Sequence, residues 1–400
     1  MVEKVKQATR RLISLVIVIL ILTISFAIIG YGRGWRLDIT KKSVKPTGLV
    51  SATSQPAGAQ VFVDGTVKTA TNNAFNVDPG WYTIRIVKEG YLPWEKKLRV
   101  QGEVAIKIEA SLFPANPSLS PLTTTGVVEP TLSPDGTKVA YIVPARSGTQ
   151  RSEVPKQAGL WMLELSDRPL GPNRDPQLLA EGDLTLSLPD VSLLWSPDSR
   201  EVIVKTKTVA HLYVVGKTQT PIDVSARLAG VLSNWESDRK TKEKQKLAGF
   251  PQEFANIASS SANILSFSPD ETKILYQATA SASIPMIIKP PLIASNPTTE
   301  ARDITPGNLY VYDSKEDKNF FIGNSPLSRV WFPTSNHLML SQNNKIDIME
   351  YDAANRTTVY AGPFTQGFLA PWPNGSRLVI VTNLNPGPST LPNLYTVNLR

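Results

Sequence analysis

PTLSPDGTKVAYIV (130–143) decides the fold, because it recurs. An apolar run closes at Leu132, a polar step Ser133-Pro134-Asp135-Gly136 follows, and a second apolar run opens at Val139. That order reads as strand, tight turn, strand: Pro presets φ at the first turn corner, and Asp and Gly suit the positions after it. The same grammar returns in LLWSPDSREVIVKT (193–206), LSFSPDETKILYQA (265–278), VWFPTSNHLMLS (330–341) and APWPNGSRLVIVT (370–382), the last two without the Ser-Pro-Asp core. Each unit is followed by one more apolar strand: LWMLEL (160–165), HLYVVG (211–216), NLYVYD (308–313), KIDIMEYD (345–352) and NLYTVNL (393–399).

The turn prolines stand at 134, 197, 269, 333 and 373, spaced 40 to 72 residues apart. A four-stranded propeller blade takes about 40 residues, so the shortest spacing is one blade and the others carry insertions. Residues 118–400 are therefore expected to form a β-propeller of five blades, with six left open and the closing strand drawn from 119–129. The competing arrangement, an open β-sandwich, does not account for a repeated hairpin followed by a repeated Leu-Tyr-Val strand. The hairpin, in the form S-P-D-G-x-x-[IVL]-x-[YF], resembles the WD40-like repeat of TolB-type propellers.

Two insertions interrupt the repeat. Residues 233–262 hold SDRKTKEKQKL and PQEFANIASSS, a helix-friendly charge run and a segment with Pro251 placed for a first helical position. Phe254 and Ile257 would share a helix face. This insertion is read as a solvated helical spacer or as a partner-docking element. Residues 279–306 read as a long Pro-rich loop.

Upstream, residues 47–113 show the period-2 alternation of half-buried strands. Val104, Ile106 and Ile108 oppose Ala105, Lys107 and Glu109; Tyr82, Ile84 and Ile86 oppose Thr83 and Arg85. Turn signals at Asp64-Gly65 and Pro79-Gly80 separate such runs. About six strands in a small antiparallel sandwich are expected. QPAGAQVFVDG (Gln55–Gly65), VDPGWYTIRIVKEGY (Val77–Tyr91), Trp94 and LRV together resemble the PEGA domain. Its namesake tetrapeptide stands as Pro56-Ala57-Gly58-Ala59, with Ala57 where Glu is usual. The resemblance implies a small extracytoplasmic β module near a membrane anchor, without catalysis, for which surface polysaccharide or protein is the usual ligand. Trp81, Tyr91 and Trp94 are the candidate ligand-contact aromatics, with core or rim packing as the alternative.

Further upstream, LISLVIVILILTISFAII (Leu12–Ile29) carries no charge, and its polar residues are Ser14, Thr23 and Ser25. At 1.5 Å per residue it covers roughly 27 Å, close to a bilayer core of about 30 Å. Arg10 and Arg11 precede it; Tyr31, Arg33, Trp35 and Arg36 follow, as interfacial residues do. Residues 12–31 are read as a retained transmembrane helix, 1–11 as a basic cytoplasmic tail and 32–46 as a juxtamembrane linker. The alternative is a cleaved signal peptide, but its one small-x-small site, Ser25-Phe26-Ala27, lies inside the apolar run. Flanking charge barely sets the orientation: Lys4, Lys6, Arg10 and Arg11 face Arg33, Arg36, Lys41, Lys42 and Lys45. A cytoplasmic N-terminus with exported C-terminal domains follows from the short tail, and places the protein in the cell membrane.

The net charge of +8 is local. Residues 1–46 hold nine Lys/Arg against Glu3 and Asp38, leaving 33 Lys/Arg against 32 Asp/Glu beyond them. A near-neutral body gives no footprint for nucleic acid. The absence of Cys excludes disulfides, thiolate metal sites and a lipobox anchor, and is common in exported bacterial proteins. No G-x-S-x-G, H-E-x-x-H or P-loop occurs, so no cofactor, metal or catalytic residue is assigned. His211 and His337 lack partners at recognisable spacing, and Asp135, Asp198 and Asp270 recur at one equivalent place, which marks turn residues. The chain is expected to be a non-enzymatic envelope protein that binds or scaffolds protein or cell-surface polysaccharide. The alternative is a carbohydrate-active or peptidase-associated propeller; a prolyl-oligopeptidase-type enzyme would need a further hydrolase domain for which 400 residues leave no room.

Overall fold

A computed structural model describes residues 2–38, 43–145, 158–167, 175–182, 191–216, 220–324, 329–384 and 391–400. Of the basic residues flanking the apolar run, Lys41 and Lys42 lie outside these. The chain divides into two units, Met1–Leu112 with Lys289–Pro297, and Phe113–Ile288 with Thr298–Arg400.

In the first unit, helix α1 (Val2–Gly32) holds the apolar run, and its Leu12–Gly32 part is long and apolar enough to cross a membrane. Its side chains from Leu12 onward are exposed, as a lipid-facing helix requires, and Thr23 satisfies its own hydroxyl on the Ile19 carbonyl at 2.8 Å. Gly34, at φ +88°, turns the chain out of the helix. Strands β1 (Trp35–Asp38) and β2 (Ser43–Pro46) then form an antiparallel hairpin within what reads from sequence as a linker.

Seven strands follow rather than six: β3 (Gly48–Gln55), β4 (Gln60–Val63), β5 (Thr66–Ala70), β6 (Asn73–Val77), β7 (Gly80–Val87), β8 (Trp94–Val100) and β9 (Ala105–Ser111). They form two sheets, β5-β4-β7-β8 and β6-β3-β9, around a core that includes Val61, Ile84, Ile86, Leu98, Ile106 and Ile108. The sandwich is not wholly antiparallel, because β3 and β9 pair in parallel. The chain crosses from the small sheet to the larger one twice, β4-β5 and then β7-β8 with β6 between them in the small sheet, and returns to lay β9 beside β3 in the same direction; alternation fixes which side chains face inward but carries no strand direction.

The second unit starts with a short strand, β10 (Leu119–Pro121). A first four-stranded sheet holds β11 (Val128–Leu132), β12 (Lys138–Val143), β13 (Gly159–Glu164) and β14 (Gln177–Glu181). A second holds β15 (Ser192–Trp195), β16 (Glu201–Lys205), β17 (Ala210–Val214) and β18 (Ile222–Asp223). Helices α2 (Leu228–Leu247) and α3 (Gln252–Ser261) form the helical insertion; Pro251 is the N-cap of α3, not its first helical residue. A third sheet holds β19 (Ala262–Phe267), β20 (Lys273–Ala278), β23 (Leu309–Asp313) and β24 (Lys318–Gly323). Between its middle strands the Pro-rich stretch is not all loop, since β21 (Ala282–Ser283) pairs with β22 (Asp303–Ile304). A fourth holds β25 (Arg329–Trp331), β26 (His337–Gln342), β27 (Lys345–Glu350) and β28 (Thr357–Ala361). In the fifth, β29 (Ala370–Pro371), β30 (Arg377–Thr382) and β31 (Asn393–Asn398) are joined by β10, which runs antiparallel along β31.

Three pairs of sheets share cores. Tyr141 and Leu163 of the first pack with Ala370 and Trp372 of the fifth. Ile142 and Leu160 of the first pack with Val202 and Tyr213 of the second, and Val311 and Phe320 of the third with Leu338 and Met349 of the fourth. The helices cover one face each of the second and third sheets. Ile203 and Leu212 of the second sheet meet Leu228, Leu232 and Trp235 of α2. Tyr276 and Tyr312 of the third meet Phe250, between the helices, and Phe254 of α3, with the Phe254 ring stacked on Tyr312 at 3.8 Å.

Candidate functional site

The five recurring turns share one backbone. In each, the N–H of the fourth residue donates to the carbonyl of the first, at 2.8 Å (Gly136 to Ser133), 3.0 Å (Ser199 to Ser196), 2.8 Å (Glu271 to Ser268), 3.0 Å (Ser335 to Phe332) and 2.7 Å (Gly375 to Trp372). The fourth residue is left-handed every time, at φ +70°, +61°, +56°, +61° and +70°.

In the first three turns the leading Ser hydroxyl donates to the Asp carboxylate, at 2.5 Å (Ser133 to Asp135), 2.7 Å (Ser196 to Asp198) and 2.6 Å (Ser268 to Asp270). Each Asp also accepts the backbone N–H two residues on: Thr137 at 3.0 Å, Arg200 at 3.2 Å and Thr272 at 3.3 Å. Burial raises the Asp135 pKa, but the hydrogen bonds from Ser133, Thr137 and Lys138 outweigh it and hold the group at about 2. The bond from Ser196 lowers Asp198, and at Asp270 burial is again outweighed, by Ser268, Thr272 and the charge of Lys273. These carboxylates are ionised and committed to their own turns; they are not gathered around one reacting bond.

The turns are also tied to one another. Ser199 Oγ accepts the Asp135 N–H at 3.1 Å, and Ser335 Oγ accepts the Asp270 N–H at 2.9 Å. The Lys242 ammonium of α2 donates to the Pro197 carbonyl at 2.9 Å, while Lys246 pairs with Glu271 at 2.9 Å, so α2 touches both the second and third turns. Beside the second turn α2 walls an open cleft of 630 Å³, lined among others by Asp198, Arg200, Glu201, Trp235, Asp238 and Lys242. Three carboxylates, two cations and one indole can hold a polar ligand. Of these, the sequence marks Asp198 only as a turn residue and places Trp235, Asp238 and Lys242 in the 233–262 insertion without naming them as contacts; the one further signal was Trp235, a lone large aromatic in a strongly polar helix.

The three sandwich aromatics are not brought together. Trp94 is 5% exposed and sits in the core, and Tyr91 packs half-buried against that core. Trp81 is 54% exposed on the opposite face of the larger sheet, with the Lys97 ammonium 5.8 Å from its ring centroid. Among the histidines, His337 is buried, with Thr334 Oγ1 at 3.3 Å from Nδ1 and the Phe113 ring at 5.8 Å, and His211 lies in β17 opposite Asp223. Among the described residues no group of three His, Asp or Glu side chains could hold a metal ion.

Residues 47–116 match the PEGA domain family. The PEGA match therefore covers the whole two-sheet sandwich and leaves the five-sheet unit outside it. Solved structures similar to this chain include a TolB from Agrobacterium tumefaciens, at 14% identity over 65% of this chain and 71% of that one, with a TM-score of 0.22. TolB from Acinetobacter baumannii is 12% identical over 79% of this chain and 59% of that one, with a TM-score of 0.23, so the match spans under two-thirds of that TolB. No curated protein matches the chain.

Proposed function

We propose that this chain is a non-enzymatic scaffold of the cell envelope. Residues 12–31 stay in the membrane with the N-terminus cytoplasmic, the PEGA domain stands outside it as a spacer, and residues 118–400 form a closed five-bladed propeller that binds an envelope protein or surface polysaccharide. Support for five blades comes from five four-stranded sheets that share one turn geometry. Support for closure comes from Leu119–Pro121 pairing with β31 and from the core shared by the first and fifth sheets.

The observation that carries the binding role is the cleft between α2 and the second turn. It is built on rigid elements: the turn is locked by Ser196 and Asp198, and the first part of α2 by its packing on the second sheet. Its mixed charge and single indole suit a polar chain with both donors and acceptors.

Co-sedimentation of detergent-solubilised full chain with purified cell wall, before and after wall proteins are stripped, tests this. Retention on stripped wall assigns polysaccharide; loss on stripping assigns a protein partner. Asp238→Lys with Lys242→Glu is expected to reduce whichever binding is found, and unchanged retention would remove the cleft from the account. A protease-accessible C-terminal tag in intact cells is expected from the orientation; a protected tag sinks it.

A further inference from the structure

We propose that the outer face of the PEGA domain, at the end where α1 emerges, rests on the bilayer surface and binds anionic phospholipid headgroups through Trp81, Lys97 and Arg99. The inference depends on α1 being a membrane anchor, as proposed above.

The helix exit is fastened to one end of the sandwich. Trp35 Nε1 donates to Glu103 at 2.8 Å, and Arg33 Nε lies 3.9 Å from the same carboxylate. The Thr47 N–H donates to the Gly34 carbonyl at 3.0 Å, and the Glu103 N–H to the Thr47 carbonyl at 3.0 Å. Asn76 Nδ2 donates to Thr47 Oγ1 at 2.9 Å, and Arg36 reaches Asn76 at 3.4 Å. The start of β3, the end of β6 and the turn between β8 and β9 thus face the level where α1 leaves the hydrocarbon. Residues Tyr31 to Arg36 supply the aromatic and basic composition of that level, with the Arg36 guanidinium 4.1 Å from the Tyr31 ring centroid.

Trp81 belongs to the same end. Glu103 is followed back through Gly102, whose neighbours are Pro46 and Pro79, to Val100, which pairs with Gly80, and to Arg99, which pairs with Trp81. Trp81 is therefore two residues up its strand from Pro79, about 7 Å. It is 54% exposed, points away from the core, and has Arg99 directly opposite and Lys97 on the diagonal. A large exposed indole beside two cations, on a module that packs Phe75, Tyr82, Tyr91 and Trp94 against its core, is the composition that sits among phospholipid headgroups. The negative charges near the patch are mostly engaged. Glu95, on the same face of β8, pairs with Arg85 at 3.8 Å, Glu103 is engaged by Trp35 and Arg33, Asp64 accepts the Thr83 N–H at 2.8 Å, and Asp78 stands at the edge. The bilayer is the occupant because α1 already runs into it and the patch continues from its exit.

The chain has no Cys, so a nitroxide can be placed on single cysteines introduced at Gln101, beside the patch, and at Glu89, at the far end of the larger sheet. The full chain would be reconstituted in phosphatidylcholine vesicles with or without phosphatidylglycerol, doped with a headgroup nickel-chelate lipid that relaxes nearby nitroxides. The label at 101 is expected to relax several-fold faster with phosphatidylglycerol than without it. Trp81→Ala with Lys97→Gln and Arg99→Gln is expected to abolish that difference, while the label at 89 stays slow throughout. Equal relaxation at 101 in both lipids overturns the proposal, and because that arm uses the native side chains it does not depend on how the variant folds. A response at 101 only when purified wall is added also overturns it, in favour of a wall polymer. Flotation of the same samples separates the two readings: a chain that does not float with vesicles defeats the anchor itself, and one that floats with an unresponsive label defeats this inference alone.

Discussion

The first three turns of the five-sheet unit and the last two reach one backbone by two chemistries. At 133–136, 196–199 and 268–271 a Ser hydroxyl and an Asp carboxylate bind each other and the N–H groups that follow, so the turn is held by polar bonds from within. At 332–335 and 372–375 the leading Ser is replaced by Phe332 and Trp372, which are 2% and 1% exposed. There the turn is held from below, by an aromatic side chain driven into the core. The third position keeps a weaker form of the polar device: Asn374 Oδ1 still accepts the Ser376 N–H at 2.8 Å. What the turn needs is an anchor at its first position and a left-handed fourth residue; the kind of anchor is free to vary.

The largest effect that could break this comparison is at Trp372. Trp372→Ser restores the leading residue of the other turns but removes a fully buried indole, over which the Arg377 guanidinium lies at 4.2 Å. A loss of about 3–5 kcal/mol is expected, the range for truncating a buried Trp, read as a lower thermal transition of the solubilised full chain. Ser268→Ala is the matching change on the polar side. It strips the Asp270 carboxylate and the Lys273 N–H of a partner in a buried place, for about 1–3 kcal/mol. If Ser268→Ala proves the costlier of the two, the aromatic is not the anchor of its turn.

Acid separates the two classes more finely. The Asp135 carboxyl is held at about 2 in the folded protein, below the roughly 3.9 of an unfolded chain. Its contribution is therefore complete above about pH 4 and drains away as pH falls through about 2. Asp198 and Asp270 are lowered too and drain in the same direction, whereas the fourth and fifth turns, with Thr334 and Asn374 in that place, have no carboxyl of their own there. Asp135→Asn is expected to lower stability at pH 7 and to flatten its fall between about pH 4 and 2. Because the Asp135 side chain is 41% exposed, screening holds the change to about 1 kcal/mol or less. An unaltered acid profile in Asp135→Asn would show that other carboxylates govern acid unfolding.

Legibility in the sequence followed how local the determinant was. The repeated hairpin is written in adjacent residues, and so were its strands; the insertion's helices were legible from the charge run and from Phe254 and Ile257, which do pack on one side of α3. Strand direction was not legible: nothing in the alternation of β3 or β9 says that they run in parallel. Neither was the hairpin at 35–46, whose pairing is held by contacts to Thr47 and Glu103 rather than by its own pattern. At the candidate sites the failure was one of register. Trp81 and Trp94 look alike in sequence, yet the pairing of β7 with β8 sends one outward and the other into the core. The cleft depends on where α2 lies against the second turn, a contact between residues such as Pro197 and Lys242 that no local signal connects.

The smallest effect sharpens the comparison at the fourth turn position, where two changes of one kind should have opposite signs. Glu271 and Ser335 both hold a left-handed conformation that costs an L-residue roughly 1 kcal/mol and glycine almost nothing. At Glu271 the side chain offers only a half-exposed ion pair to Lys246, worth a few tenths of a kcal/mol. Glu271→Gly is thus expected to stabilise slightly, by under about 1 kcal/mol once the greater freedom of glycine in the unfolded chain is counted. At Ser335 the same relief of strain is set against the buried hydroxyl that accepts the Asp270 N–H, a part-buried link between the third turn and the fourth. Leaving that donor unpaired costs about 1–3 kcal/mol, so Ser335→Gly should destabilise. Thermal transitions of the two variants, measured side by side, decide it: a matched pair of gains would mean that the turns do not hold one another, and that each sheet carries its own turn alone.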